Sequence, residues 1–184
     1  GTVSQLVDSA SGIHPRHSKY YLRTVRTDAK DPLADFLKAQ GVPWETDIMN
    51  GNNIIFGFPI KAPENSITRH EIGAIRQLEH YLIYQQYWCE HNPSITVYVK
   101  PDEWFEVGAW VFKYLDKLGG VSCLPHNDHV YQQAPYQDLT REQYEKLENE
   151  FPKINWEEFA KYEVDDTTIN MHEYACVNGA CELV

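Results

Sequence analysis

Between residues 52 and 125 the sequence alternates short β-branched and aromatic runs with long amphipathic stretches, and this order limits the folds open to the chain. "NNIIFGFPI" (52–60) is flanked by turn formers and reads as a buried strand. "SITRHEIGAIRQLEHYLIYQQYWCEHN" follows as the longest helix, with Ser66 or Thr68 as cap and Ile72, Ile75, Leu78, Leu82 and Ile83 recurring at spacings of three and four. "SITVYVKP" is a second strand. Asp102 is then placed to cap a helix over "EWFEVGAWVFKYLDKLGG", which Gly119 and Gly120 stop. "GVSCLP" gives a third strand. Strand, helix, strand, helix, strand predicts an α/β fold with parallel pairing and right-handed crossovers, because a parallel partner can be reached only by a long connection.

The flanking segments fit around this core. "YYLRTVRT" (20–27) alternates as a strand does, and "DPLADFLKAQG" carries Asp31 as cap, Pro32 at the first helical position and Gly41 just past the end. Thr140 caps a polar surface helix over "TREQYEKLENEF", and "NWEEFAKY" adds one or two turns. From Glu163 onward acidic and small polar residues dominate, so 1–162 is expected to form the folded body and 163–184 a mobile tail.

The chain has 184 residues and a net charge of -11, enough length for one domain with a real core and the wrong sign for gripping a phosphate backbone. A nucleic-acid partner is therefore not expected, although local donors can still hold one nucleotide. No apolar run reaches membrane-spanning length, so no membrane partner is expected either. The opening "GTVSQLVDSASG" has no charged leader and reads as cut from something longer. Four irregularly spaced cysteines are too few for a secreted disulfide scaffold and favour a reducing cytoplasm.

Two of those cysteines carry the chemistry. Cys176 and Cys181 stand near the very end in "CVNGAC". Structural zinc needs about four ligands, and His172 is the sole nearby addition, so zinc is the weaker reading. A staple closing so small a loop constrains little. An exchanging dithiol fits better, since Asn178 and Gly179 let the loop bend. Glu173 and Glu182 are the nearby charges, so nothing depresses the thiols, and at an ordinary pKa of about 8.5 only a few per cent is thiolate at neutral pH. Such a pair must be delivered at high effective concentration and reset by an external dithiol. The stretch from Asp165 to Cys176 supplies a root-mean-square reach of roughly 18 Å. Cys89, on the long helix, and Cys123, in a strand, read as buried small hydrophobes.

At the other end, a helix starting at Thr2 to Ser4 would offer free backbone N–H groups and two hydroxyls to an anion, although ordinary capping accounts for the same pattern. In "GIHPRHSKYY", Pro15 makes His14 and His17 a poor metal pair, and Arg16 is expected to pair with an acid or a phosphate. The His pair in "HNDH" (126–129) suits a metal or plain turn polarity about equally.

Together these pieces resemble the C-terminal part of a ribonucleotide reductase, the cobalamin-dependent class above all. "GTVSQLVDSASGIHPRHSKYYLRTVR" resembles that family's phosphate-binding loop and the segment after it. "GGVSCLPHNDHVYQQAPYQDL" resembles a late barrel segment, with "YQQAPY" its distinctive run, and "CVNGAC" matches the spacing of the tail dithiol. The di-iron class is the nearest rival, but Tyr20 and Tyr21 sit too close to the phosphate loop to be its tyrosine relay. The resemblance implies the last strands of a ten-stranded α/β barrel with a flexible redox tail. It implies substrate phosphate at Gly1, Thr2, Val3 and Ser4, and re-reduction of an active-site disulfide by Cys176 and Cys181. It also implies adenosylcobalamin as cofactor, a ribonucleoside triphosphate as substrate, thioredoxin or a similar reductant, and the remainder of the reductase, which carries the radical cysteine.

Overall fold

In this computed structural model residues 9–126 and 132–163 are described with their side chains, and 174–177 and 180–183 by their backbone. The strands are β1 (Tyr20–Asp28), β2 (Trp44–Thr46), β3 (Asn53–Lys61), β4 (Thr96–Val99), β5 (Ser122–Pro125), β6 (Tyr136–Asp138), β7 (Tyr174–Val177) and β8 (Ala180–Leu183). The helices are α1 (Pro32–Ala39), α2 (Ala74–Tyr87), α3 (Trp104–Lys113) and α4 (Arg141–Glu150), with short 3-10 turns at Leu115–Lys117 and Trp156–Lys161. The chain divides into two compact units, 1–21 with 60–131 and 137–141, and 22–59 with 132–136 and 142–184.

The first unit is built on β4 and β5, which pair in parallel from Thr96↔Ser122 to Val99↔Pro125. Helix α3 supplies the crossover that a parallel pair requires. This much of the expected order holds. Strand β3, however, does not extend the pair. It lies in a separate sheet of order β2-β3-β1-β6, antiparallel to β2 from Trp44↔Phe56 to Thr46↔Ile54. Strand β2 was illegible because it is three residues long and exposed at each one, so it carries no apolar alternation.

Helix starts also differ from expectation. Helix α2 begins at Ala74, with Gly73 as a cap that offers no side chain. Thr68 instead closes a turn of its own, its N–H and hydroxyl donating to the Glu71 carboxylate at 3.0 and 2.8 Å. The free N–H of Ala74 is taken by the Glu103 carboxylate at 3.1 Å, and the same side chain accepts from Lys100 N–H at 2.9 Å. Glu103, rather than Asp102, precedes α3. A cap borrowed from 29 residues away leaves no local signature.

Ala74, Leu78 and Tyr81 of α2 pack on Ile95, Val97, Val99 and Val107 to form the core of this unit. Leu78, Val97 and Val99 are wholly withdrawn from water, and each contributes about 1.5–3 kcal/mol of hydrophobic burial. The buried Tyr81 hydroxyl donates to Asn92 Oδ1 at 2.6 Å and accepts the Gly119 N–H at 3.0 Å, which ties the end of the α3 crossover back to α2. Cys89 lies just beyond the end of α2, and it and Cys123 are half-buried rather than buried; burial raises the pKa of the Cys123 thiol.

The second unit follows its sequence signals closely. Asp31 caps α1 by accepting the Leu33 N–H at 2.8 Å, Pro32 opens the helix, and Gly41 turns the chain away at a φ of +80°. Only glycine takes that angle without strain. Phe36 is wholly buried and meets the rings of Trp156, Phe159 and Tyr162, which places the expected short helix of "NWEEFAKY" on α1. The expected polar helix is α4. Strands β7 and β8, within the stretch expected to form the tail, pair antiparallel with Cys176 opposite Cys181. Among the described residues no helix is long and apolar enough to cross a membrane.

Candidate functional site

The segment after residue 9 is fastened to the first unit at two points. The ring of His14 donates from Nδ1 to the Ser11 carbonyl at 2.5 Å and accepts the Thr96 N–H at Nε2 at 3.1 Å, which fixes its tautomer and accounts for the histidine without a metal. Arg16 forms a parallel bridge with Thr68, its N–H reaching Ile67 O at 2.9 Å and its carbonyl accepting Arg69 N–H at 2.9 Å. The buried Arg16 guanidinium lies 3.4 Å from the Tyr21 hydroxyl, a neighbour sequence reasoning did not anticipate.

That bridge sets His17 beside Arg69 and His70, and all three converge on Asp138 at the end of β6. His17 Nε2 is 3.0 Å from one carboxylate oxygen. The other oxygen takes Arg69 at 2.8 Å and His70 Nε2 at 3.3 Å. The Arg69 guanidinium also lies 5.7 Å over the ring of Tyr98. His70 meets His126 edge to face at 5.4 Å, and His126 in turn approaches Tyr98. Burial pushes the Asp138 pKa up, but the hydrogen bond and charge of His17, then those of Arg69, outweigh it and hold the carboxyl well below the usual range.

This cluster stands at the carboxyl ends of the parallel pair, since Tyr98 is the penultimate residue of β4 and His126 directly follows β5. Crevices outside the carboxyl ends of parallel strands are where α/β folds place their ligands. Two buried nitrogens there, Arg69 Nε and His126 Nε2, lack a hydrogen-bond partner among the described residues. Chemically the cluster holds a fixed negative charge beside imidazole and guanidinium donors. No group of three or more His, Cys, Asp or Glu placed to hold a metal occurs among the described residues.

Next to this cluster a cleft of about 800 Å³ is lined by Lys19, Lys61, Glu71 and Arg76. The Glu71 carboxyl is held below its ordinary pKa, first by the Thr68 hydroxyl, and it pairs with Lys19 at 3.7 Å. A second cleft of about 770 Å³ runs between His14, Ile67 and His80.

The "YQQAPY" run has a physical role in the second unit. Gln133 adopts a φ of +60° and uses its side chain as a clamp, donating to Thr46 O at 2.9 Å and accepting the Ile48 N–H at 3.0 Å. Thr24 donates to Ala134 O at 2.9 Å, and Arg23 reaches Pro135 O at 3.0 Å while covering the ring of Tyr136. Arg26 donates to Gln133 O at 2.8 Å and pairs with the nearly buried Asp47 at 3.2 Å. Every residue from Gln133 to Tyr136 is thus used to anchor the run to β1 or β2.

Of the sequence-derived site residues, Gly1, Thr2, Val3 and Ser4 lie outside the described residues, as do 127–129 of "HNDH". Cys176 and Cys181 are brought to opposite positions of one β-ladder. Asp138, Arg69 and His70 were missed. The signal available was a pair of basic runs, "HPRH" and "TRH", in an acidic chain, but their common partner stands 69 residues beyond the second.

An architecture of this kind occurs in a solved protein. The crystal structure of a B-12 dependent (class II) ribonucleotide reductase superposes on 91% of this chain with a TM-score of 0.73 and 29% sequence identity, using 24% of its own length. The curated relatives narrow the class. Adenosylcobalamin-dependent ribonucleoside-triphosphate reductases of Lactobacillus gasseri and Lactobacillus leichmannii are each 28% identical over 188 aligned residues, covering all of this chain and 25% of theirs. A probable adenosylcobalamin-dependent ribonucleoside-triphosphate reductase of Dictyostelium discoideum is 26% identical over 191. No protein-family model matches. The chain is a homologue of the C-terminal part of these reductases, and it spans about a quarter of their length.

Proposed function

We propose that this chain is the C-terminal portion of a ribonucleotide reductase that converts ribonucleoside triphosphates to 2'-deoxyribonucleotides. What carries the reading is similarity along the whole chain to one quarter of such enzymes, together with a matching fold. In this reading residues 1–162 complete a ten-stranded α/β barrel whose other strands lie in the remaining three-quarters, and 163–184 form the tail. Gly1, Thr2, Val3 and Ser4 hold substrate phosphate. The complete enzyme works in the cytoplasm with adenosylcobalamin, which would supply the radical by which a cysteine outside this chain abstracts the ribose 3'-hydrogen.

The electron balance assigns the tail its role. Loss of the 2'-hydroxyl as water consumes two electrons, which a cysteine pair in the barrel gives up as it becomes a disulfide. Cys176 and Cys181 attack that disulfide, pass it two electrons and two protons, and become a disulfide themselves. Thioredoxin or a similar dithiol protein returns them to thiols. The first cleft described above is lined mainly by polar and charged side chains, and the second mixes Ile13, Ile67, Ile72 and Ile83 with Arg16, Arg76 and Glu79. Neither lining by itself forms a corrin cradle, and none of this chain's residues is assigned to the cofactor.

Reconstitution tests the reading. The Lactobacillus leichmannii reductase, shortened by the quarter that matches this chain, is mixed with the chain, adenosylcobalamin, a ribonucleoside triphosphate and a thioredoxin system. Deoxynucleotide should form from the mixture and from neither part alone. Turnover by the shortened enzyme that is unchanged on adding the chain contradicts the proposal.

A further inference from the structure

Helix α3 is apolar on both sides. Val107 is buried in the core of the first unit, and Trp110 and Val111 pack against it. On the far side Phe105 is 95% exposed, Phe112 83% and, one turn on, Leu115 63%. At 3.6 residues per turn Phe105, Gly108, Ala109 and Phe112 share one stripe, flanked by Trp104 and Leu115 on one edge and by Glu106 and Lys113 on the other. A helix with apolar residues on two opposite faces buries only one of them in this unit.

Gly108 adds a second observation. A glycine in mid-helix is costly, and here a Cβ would meet nothing within 4 Å, so no contact among the described residues calls for it. Between two projecting phenylalanines it leaves a notch into which another backbone can come close.

Charge and the length of the homologues decide between occupants. The face has an apolar area on the order of 500 Å², toward the upper end of what a monomer exposes and large enough to mark an interface. Two copies, each with a net charge of -11, would repel. The homologues, by contrast, contain about three times this chain's length in additional protein. Resting on the reading that the chain is a reductase portion, we infer that the Phe105–Phe112 face of α3 is the docking surface for the remaining three-quarters of the enzyme, which meets it with an apolar, uncharged element seated over Gly108.

The test measures binding of the full 184-residue chain to the shortened Lactobacillus leichmannii reductase by titration calorimetry, with sedimentation velocity for stoichiometry. The wild-type chain should form a one-to-one complex. Phe105→Asp with Phe112→Asp should weaken it by roughly 100-fold or more, as expected for central aromatic anchors, while the melting temperature of the free chain stays unchanged. Gly108→Leu should raise that melting temperature and still weaken binding, opposite signs that a purely structural glycine would not give. A complex as tight with the double aspartate variant as with wild type overturns the inference and leaves the reductase reading standing. No complex with the wild-type chain overturns the reductase reading itself. Self-association of the free chain that the double variant abolishes makes a second copy the occupant and also overturns the inference.

Discussion

Cys176→Ser, assayed in the reconstituted reductase, is expected to leave the first turnover intact and to abolish those that follow. With a thioredoxin system as reductant, product should stop at about one deoxynucleotide per complex, because the barrel disulfide formed in that turnover can no longer be exchanged. A small dithiol that enters the barrel directly should restore part of the steady rate. The pattern follows from the position of the thiols. They stand at opposite places of the β7–β8 ladder, near the chain end, beside Glu182. Nothing in that local sequence makes them strong nucleophiles, so the proposed role requires them to be tethered close to the barrel disulfide. Equal loss of the first and of later turnovers would give Cys176 a different role.

The second large effect concerns stability. Asp138→Asn removes the one carboxylate shared by His17, Arg69 and His70, and it leaves the Arg69 side chain, 8% exposed, beside a neutral amide. Breaking a fully buried ion pair costs 3–5 kcal/mol, but about a third of the Asp138 side chain meets water, so a loss of about 2 kcal/mol is expected after screening. For a chain of this size that is a fall of roughly 4–8 °C in melting temperature. The pH dependence has a definite sign. The folded carboxyl titrates below its unfolded value of about 3.9. Its contribution is therefore complete above that value and is lost as pH falls from about 5 through the unfolded and then the depressed folded pKa. Wild-type stability should drop across this acid range, and the Asn variant should drop less. Denaturant midpoints from pH 7 to pH 3 read both effects. Parallel acid limbs for the two proteins would show that Asp138 is not the linked group.

Local signals in the sequence were followed by the chain, and remote ones were not visible in it. Asp31, Pro32 and Gly41 mark α1 because caps and helix stops act within a few residues. The β4–α3–β5 unit was legible because a parallel pair with its crossover imposes a length and an order. Strand β2 was hidden because a three-residue exposed edge has no hydrophobic period. The start of α2 was misplaced because its cap is supplied by Glu103, far along the chain. The Asp138 cluster stayed hidden for the same reason, its members being brought together by the Arg16–Thr68 bridge and by β6. The paired cysteines were conspicuous because they stand close together in the sequence. The exposure of Phe105 and Phe112 on α3 was not visible, since an exposed apolar residue has the same letter as one that faces the core.

In the proposed reductase the terminal thiols cycle between dithiol and disulfide as the enzyme turns over. The most direct measurement is the mass of the C-terminal peptide after alkylation, taken from the reconstituted enzyme after one turnover without thioredoxin. The account predicts that the peptide carrying Cys176 and Cys181 escapes alkylation and is about 2 Da lighter than its dithiol form, in step with deoxynucleotide formed. Both thiols alkylated in full after product has appeared, or both held in a tightly bound zinc that only Cys181→Ser releases, would contradict it.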